Sequence, residues 1–198
     1  MELLHRTTTR LQLDAVVPGD LEAHHALLSD PATWTHLPSG RHRDRAQTAA
    51  GLQQVVDRWR HSGLDYWTAR LRTDLPAGTV PAGLQPGAVV GTGGCALRSG
   101  TRWWNLYYRF TPAAWGHGLV AELVHTALDA ARSVDPELPV IAYLLEHNVA
   151  SRRRAERSGL TCVWRGPDAG NPDPDAVRLV YADRPLSEDL LDQIAATA

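Results

Sequence analysis

Apolar and polar positions alternate with two different periods in the first half of the chain. Strict alternation over short stretches predicts half-buried strands, whereas apolar residues repeated every three or four positions predict helices. Gly63 ends the longer helix, and the glycines of the last strand in this half permit a bulge or a close approach of another backbone. The predicted elements are, in order, a strand at 9–17, helices at 21–28 and 44–61, and strands at 64–71 and 87–97.

An aromatic stretch at residues 102–110, RWWNLYYRF, gives the strongest strand prediction in the second half. Its apolar side chains fall on both faces, which is typical of a strand in the middle of a sheet. Asn148 is placed to cap a later helix, and Gly159 follows that helix where a left-handed residue is favoured. The remaining predicted elements are a helix at 119–132, a strand at 139–145, a helix at 148–158, strands at 161–165 and 176–182, and a short C-terminal helix.

The order of these elements predicts the fold class. The order β-α-α-β-β-β-α-β-α-β-β places antiparallel hairpins early and a βαβ crossover late, so we expect a mixed α/β arrangement, an α+β fold with helices flanking one twisted sheet. At 198 residues the chain is long enough for a sizeable core. We therefore expect a single domain over residues 1–198.

Composition and charge exclude several classes of protein. The net charge is -2 and the sequence pI is about 6.5, so no overall positive field attracts nucleic acid or an anionic membrane. No stretch approaches the roughly 18 apolar residues of a spanning helix. Residues 1–12 lack the continuous apolar region of a signal peptide. We expect a cytoplasmic protein with no nucleic acid and no membrane among its partners.

The cysteines and paired histidines do not indicate a metal site. Cys95 and Cys162 stand alone, without the ligand spacing of a zinc site, and we expect both to be small buried hydrophobic residues. His24 and His25 are adjacent rather than four residues apart, so they cannot easily share a metal ion, and we expect them at the surface. Three consecutive arginines at 152–154 spread around a helix, which favours solvent exposure over a nucleic-acid patch.

A glycine turn between a strand and a helix is the first candidate for chemistry. Residues 115–118 read WGHG, and backbone N–H groups from Gly116 to Val120 would lie at the positive end of the following helix. Such a turn suits a pyrophosphate, although many similar pairs of glycines are ordinary turns. A dinucleotide fingerprint belongs in the first βα unit and is therefore disfavoured here. A Walker A loop is excluded because the chain has no lysine.

Three groups of residues together resemble one known family. The motif P-x-x-W-G-x-G-x-x-x-E is matched by Pro112, Trp115, Gly116, Gly118 and Glu122. A second motif of the family is matched by Asn148, Ser151 and the pair Gly159-Leu160. The N-terminal motifs of the family are matched by Thr9-Arg10-Leu11, Asp20 and Ser29-Asp30-Pro31. In this order they resemble the GNAT superfamily of acyl-CoA-dependent N-acyltransferases, and within it the branch typified by RimJ and RimL. Ala113 departs from the wider superfamily, which has Gln or Arg at this position.

The resemblance implies a GNAT-like fold that binds acetyl-CoA as co-substrate and needs no metal. In such proteins a bulge splays the fourth strand from the fifth, pantetheine fills the gap like an added strand, and the glycine turn takes the pyrophosphate. Arg154, in the helix predicted at 148–158, would lie near the 3′-phosphate of CoA. The implied cofactor-binding residues are Tyr108, Arg109, Phe110, Gly116, His117, Gly118, Leu119, Val120, Asn148, Ser151 and Arg154.

The implied chemistry is direct attack of an amine on a thioester. Orientation can lower such a barrier by about 7–11 kcal/mol, so no covalent nucleophile is required. A base must still take the ammonium proton, and a donor should meet the leaving thiolate. Ser151 is the candidate donor, and Glu146, His147 and His36 are the candidate bases.

Several functional alternatives remain open at this point. The expected function is acetyl transfer to a primary amine, either a peptide or protein N-terminus or a small molecule. The alternatives are a CoA- or metabolite-binding protein without efficient catalysis, and an enzyme that uses another acyl-CoA such as succinyl-CoA. The acceptor would be selected by loops at 31–43, 73–86 and 166–175. Trp103, Trp104, Tyr107 and Tyr108 pack in the core or line the acceptor pocket, and a homodimer is possible.

Overall fold

The structure, a computed structural model, describes residues 2–76 and 78–196. Eight strands and five α-helices are present in this part of the chain, with short 3₁₀ turns between several of them. They are β1 His5–Thr7, β2 Leu11–Ala15, α1 Leu21–Ser29, α2 Arg45–Ser62, β3 Tyr66–Leu71, β4 Val89–Leu97, β5 Trp104–Phe110, α3 Leu119–Val134, β6 Val140–Leu145, α4 Val149–Arg157, β7 Thr161–Pro167, β8 Val177–Ala182 and α5 Glu188–Ala195.

The strands form one sheet in the order β1-β2-β3-β4-β5-β6-β8-β7. Neighbouring strands are antiparallel except β5 and β6, which are parallel and are joined through the crossover helix α3. The predicted mixed sheet of an α+β fold is therefore confirmed. β5 lies in the middle of the sheet, as its two-sided apolar pattern predicts.

The first strand of the chain was not predicted. His5–Thr7 pairs with residues 12–14 of β2, and Thr8 donates its N–H to the Leu11 carbonyl in the turn between them. The strand predicted at 9–17 is shorter and covers Leu11–Ala15. Three half-exposed residues carry too little apolar periodicity to indicate a strand, so β1 is recognisable only from its pairing with β2.

Glycines in β4 allow β5 to approach closely. A Cβ at Gly91 would lie 2.6 Å from Cγ of Phe110, and a Cβ at Gly93 would lie 2.5 Å from the carbonyl oxygen of Tyr107. Both roles that the sequence left open for these glycines therefore occur: close approach toward β5, and a register shift beside Gly91 where β4 pairs with β3. A larger residue at either position would displace the strand that carries the aromatic stretch.

The main hydrophobic core lies between the sheet and α3. The buried stripe of this helix begins at Leu119 and continues through Leu123 and Ala127, which is the stripe that the sequence predicts. On the sheet side, Trp104, Leu106 and Phe110 of β5 face the same core. A second cluster around Trp103, Ile141 and Ile194 packs α5 against the opposite face.

A buried polar network joins α1 to the sheet. Asp20 accepts hydrogen bonds from the Thr68 hydroxyl and from the guanidinium of Arg70, and the same hydroxyl accepts a bond from Nε2 of His24 at 2.9 Å. The prediction that His24 lies at the surface is wrong, since only 3% of the residue is exposed. The prediction for Cys162 is also wrong, because it is exposed on β7, whereas Cys95 is buried as expected.

The buried environment of His24 leads to a prediction for acid stability. Burial lowers the pKa of His24 from 6.5 to about 4, with a smaller opposing effect from Asp20. The unfolded chain therefore binds a proton between pH 6.5 and 4 that the folded chain does not, so folding stability falls as the pH drops through this range. Between pH 7 and pH 5 the loss from this one residue is about 2 kcal/mol.

We expect the variant His24→Gln to lose that part of the acid sensitivity, because its amide can still donate to Thr68 but cannot take up a proton. Urea unfolding at pH 7 and pH 5 measures the effect, with the exposed His125→Gln as the control. Equal pH dependence in the wild type and in His24→Gln would contradict the prediction.

Candidate functional site

The two parallel strands of the sheet separate after two residue pairs. β5 and β6 are paired only at Trp104 with Val140 and at Asn105 with Ile141. Beyond these pairs the strands enclose a cleft of about 1110 Å³. The bulge expected to splay these strands is absent from β5, whose pairing with β4 runs without a register shift. The separation therefore arises where β6 departs from β5.

Alternate residues of β5 direct their backbone groups into the gap. Trp104 donates its N–H to the Pro139 carbonyl on the β6 side. Because backbone groups alternate in direction along a strand, the N–H and C=O groups of Leu106 and Tyr108 also point to the β6 side. Arg109 belongs to the other set, which is paired with β4 through Thr92. Among the three predicted β5 contacts, Tyr108 and Phe110 thus have backbone groups on the side of the gap, while Arg109 does not. The Phe110 carbonyl already accepts a hydrogen bond from the Trp115 indole at 2.9 Å, which leaves the N–H of Phe110 for a ligand.

The glycine turn closes one end of the cleft. Gly116 and Gly118 have φ of 79° and 76°, the left-handed region that favours glycine. The N–H groups of residues 116–118 make no hydrogen bond within the described part of the chain, and those of Leu119 and Val120 begin α3, where no helical partner exists. These five residues form a candidate cradle for an anion at the start of a 16-residue helix. Gly116 and Val120 line the cleft, whereas the predicted contacts His117, Gly118 and Leu119 are not part of its lining.

Glu122 fixes the position of this turn. Its carboxylate accepts hydrogen bonds from the backbone N–H of Arg10 at 2.9 Å and from Nε of Arg10 at 2.6 Å. The Thr8 hydroxyl donates to the same group. The acidic residue of the motif therefore ties the first turn of α3 to the start of β2, and it serves to hold the cradle rather than to meet a ligand.

The start of α4 forms the wall next to the glycine turn. The Asn148 side chain accepts a hydrogen bond from the N–H of Ser151 at 3.2 Å, which caps the helix as predicted. The Tyr108 hydroxyl donates to the Ser151 carbonyl at 3.4 Å. The Ser151 hydroxyl lines the cleft and makes no hydrogen bond to any other described residue. Its proton is therefore available to a ligand.

Arginines of α4 also face the cleft. Arg153, Arg154 and Arg157 line it on the side of the glycine turn. Nε of Arg154 is buried and has no hydrogen-bond partner among the described residues. The cradle and these cations fit the phosphates of a CoA molecule, with Asn148 and Ser151 beside the gap between the strands.

The opposite wall carries two histidines that touch one another. His147, just after β6, donates from Nε2 to the His36 carbonyl at 2.9 Å. Because a carbonyl can only accept, this bond places the proton on Nε2 and leaves the Nδ1 lone pair of His147 free. The His36 ring stacks on Trp34 with a centroid distance of 6.4 Å. Burial, together with smaller contributions from Arg109, His147 and Arg178, lowers the pKa of His36 from 6.5 to about 4, so its ring is neutral at pH 7.

The other candidate base is placed differently. The Glu146 carboxylate forms two hydrogen bonds with Arg165, at 2.8 and 3.0 Å, and is not among the residues that line the cleft. Its hydrogen bond with Arg165 lowers its pKa, which makes it a weaker base. The carboxylate is therefore held by an arginine of β7 outside the site.

The aromatic residues of β5 divide between the core and the cleft. Trp104 is buried in the main core, and Tyr107 and Tyr108 line the cleft. Trp103, which directly precedes β5, is buried in the second cluster and also borders the cleft. Sequence reasoning missed the role of the Arg109 side chain, whose guanidinium lies on the ring of Trp34 at 3.3 Å from the centroid. No sequence signal reveals this contact, since the two residues are 75 positions apart and meet only in the fold.

Residues 2–76 and 78–196 contain neither a metal-binding cluster nor a membrane-spanning helix. No cluster of three or more His, Cys, Asp or Glu side chains that could hold a metal ion occurs there. None of the helices in these ranges has the length and apolar character needed to cross a membrane.

Comparison with known proteins identifies related sequences and structures. The family model described as "Acetyltransferase (GNAT) domain" matches residues 10–161, well over half of the chain. A search of curated proteins finds no significant match. Among solved structures, a GNAT-family acetyltransferase from Bordetella pertussis is similar with a TM-score of 0.71 and 17% identity, over 91% of this chain and 99% of that one.

Two other solved structures show the same fold. An acetyltransferase from Agrobacterium tumefaciens str. C58 aligns with a TM-score of 0.69 and 21% identity, over 93% of this chain and 96% of that one. RimL, described as a ribosomal L7/L12 alpha-N-protein acetyltransferase in complex with coenzyme A, aligns with a TM-score of 0.67 and 16% identity, over 91% and 97%. At these identities the likeness concerns the fold, and it confirms the predicted GNAT architecture.

The glycine turn can be tested with a matched pair of variants. Gly116 and Gly170 both have φ of 79°, and at both positions a Cβ would meet no atom within 4 Å. We expect Gly116→Trp to abolish binding of acetyl-CoA, because the indole would occupy the space in front of the free N–H groups. Gly170→Trp, which lies in the loop between β7 and β8, carries the same backbone strain without blocking the cleft.

Thermal unfolding with and without acetyl-CoA measures the difference. Ligand at about 100 times its dissociation constant stabilises the native state by about 2.7 kcal/mol. The wild type and Gly170→Trp should show this stabilisation, and Gly116→Trp should not. Full stabilisation of Gly116→Trp would exclude the turn as the phosphate site.

Proposed function

Because the chain belongs to the GNAT acetyltransferase family, we propose that it transfers an acetyl group from acetyl-CoA to a primary amine by direct attack on the thioester. We further place it in the RimJ/RimL branch, on the complete motif from Pro112 to Glu122. The observation that carries the proposal is the cleft itself. It begins at the glycine cradle, passes between the unpaired parts of β5 and β6, and is also lined by His36 and His147.

The donor would lie on the side of α3 and α4. The N–H groups of residues 116–120 would hold the pyrophosphate, and Arg154 would face a further phosphate with its unpartnered Nε. Backbone groups of Tyr108 and Phe110 would bind the pantetheine arm, as a neighbouring strand does. These contacts bring the thioester to the start of α4, where acetyl-CoA supplies the activated acyl group.

Ser151 would assist the departure of the thiolate. The Asn148 cap and the hydrogen bond from Tyr108 hold the first turn of α4 in place, while the Ser151 hydroxyl keeps a free proton. As the new amide bond forms and the C–S bond breaks, negative charge develops on sulfur. A positioned hydroxyl donor stabilises that charge.

His147 would act as the base that takes the ammonium proton. Its Nε2–H is fixed by the His36 carbonyl, so its Nδ1 lone pair is the free acceptor. His36 is less suited, because its lowered pKa means that it holds a proton weakly at neutral pH. Glu146 is bound to Arg165 and takes no part in the proposed reaction.

A conservative variant of His147 tests its role. We expect His147→Gln to lower kcat by about 100-fold, since the amide can still donate to His36 but has no basic lone pair. The measurement is release of CoA with an amine that the wild type accepts, across a range of pH. Glu146→Gln is the control and should retain activity within about twofold. Wild-type kcat in His147→Gln would exclude this residue as the base.

The role of Ser151 is tested separately. We expect Ser151→Ala to lower kcat by about tenfold or more, because a hydrogen bond to a charged group contributes about 1.5–3 kcal/mol. Acetyl-CoA binding, followed by thermal unfolding, should remain unchanged, since the Ser151 backbone still makes both of its contacts. A loss that is confined to acetyl-CoA binding would show a binding role rather than assistance to the leaving group.

A further inference from the structure

The cleft is lined by cations, and no carboxylate lines it among the described residues. Its lining includes six arginines and two histidines but neither Asp nor Glu. Arg153, Arg154 and Arg157 belong to α4 and lie on the side proposed for the donor phosphates. The other three, Arg98, Arg109 and Arg178, come from the end of β4, from β5 and from β8, away from the glycine turn.

Arg109 is the arginine with the most unusual surroundings. Only 8% of the residue is exposed, and it is the only arginine among the described residues that is buried. Its guanidinium lies on the ring of Trp34, donates from Nε to the Tyr107 hydroxyl at 2.9 Å and donates from Nη1 to the Thr33 carbonyl. All of these partners are neutral.

Several partly buried arginines away from α4 are neutralised by carboxylates, whereas Arg152 and Arg154 of α4 form no ion pair among the described residues. Arg58 pairs with Asp65, Arg10 with Glu122 and Arg70 with Asp20. Arg178, which also lines the cleft, pairs with Asp168. Arg109 forms no ion pair in this part of the chain, although burial makes an unpaired charge most costly there. A buried cation beside an open cleft, with neutral partners only, is the arrangement expected of a site that receives an anion.

We infer that the acceptor is a small amine that also carries an oxyanion, either a carboxylate or a phosphate, and that Arg109 binds this group. The inference rests on the proposed function, since it names the acceptor class for that reaction. The Nη2 amino group of Arg109 makes no hydrogen bond to any described residue and supplies the remaining donor. Trp34 and Tyr107, which flank the guanidinium, fix its plane for recognition.

The charge of the walls also opposes the converse class of acceptor. A polyamine or a lysine-rich peptide brings several positive charges, and the lining offers no carboxylate to receive them. Arg98 makes no ion pair in the described ranges and adds to this positive field. The same positive charges act on His36: in addition to burial, Arg109 and Arg178 both contribute to its lowered pKa. An acceptor with an oxyanion near its amine would offset that field.

Matched pairs of amines test the inference in the intact protein. The panel contains amino acids and their carboxamides, O-phosphoethanolamine and ethanolamine, and spermidine as the polycation. We expect kcat/KM to be at least about tenfold higher for the anionic member of a pair, because a hydrogen bond to a charged group contributes about 1.5–3 kcal/mol. A preference confined to the carboxylates or to the phosphate identifies which oxyanion the site takes.

The variant Arg109→Met removes the charge, and Arg109→Lys retains it. We expect the anionic preference to fall to within about threefold in Arg109→Met and to persist in part in Arg109→Lys. Arg60→Met, which removes an exposed arginine of α2 outside the cleft lining, should leave the ratio unchanged. If Arg109 only held the loop that contains Thr33, both members of each pair would lose activity equally and the ratio would stay constant.

The outcomes separate this inference from the proposed function. Equal or better turnover of neutral amines or spermidine by the wild type overturns the anionic acceptor and leaves acetyl transfer intact. An unchanged ratio in Arg109→Met overturns the assignment to Arg109. Stabilisation by acetyl-CoA without transfer to any member of the panel contradicts the proposed function and the inference together.

Discussion

The separation of β5 from β6 is the constraint on which the rest of the structure depends. Two residue pairs join the antiparallel strands β1–β5 to the group formed by β6, β8 and β7. Beyond these pairs, backbone donors and acceptors of β5 lack a partner strand, and buried backbone groups require partners. A ligand that adds like a strand, as proposed for pantetheine, would satisfy them. The cleft is therefore a part of the sheet that the chain leaves incomplete.

Holding this gap open requires rigid elements on both sides. On one side, glycines of β4 let β5 pack closely, and Glu122 ties the first turn of α3 to the start of β2. On the other side, Asn148 caps α4 directly after β6. The proposed phosphate cradle and the proposed leaving-group donor therefore belong to different elements, and their spacing depends on the angle between the two parts of the sheet. This explains why the motif residues extend over so much of the chain.

Local chemistry could be predicted from the sequence, whereas contacts between distant segments could not. The cap at Asn148, the glycine turn and the apolar stripe of α3 follow from residue type and spacing within a few positions. The burial of His24 depends on Thr68 and Asp20, which lie on separate elements. The setting of Arg109 likewise depends on a loop 75 residues away. The short strand β1 has no pattern of its own, and its existence depends on pairing with β2.

The positive charge of the cleft also bears on the choice of base. A carboxylate near these arginines would pair with one of them and lose basicity, as Glu146 does with Arg165. A neutral imidazole avoids that pairing because it carries no charge until it accepts the proton. The same field lowers the pKa of His36, the other imidazole on this wall. An anionic group on the acceptor would offset the charge of Arg109 when the substrate is bound. The proposed acceptor class and the proposed base therefore depend on one electrostatic arrangement.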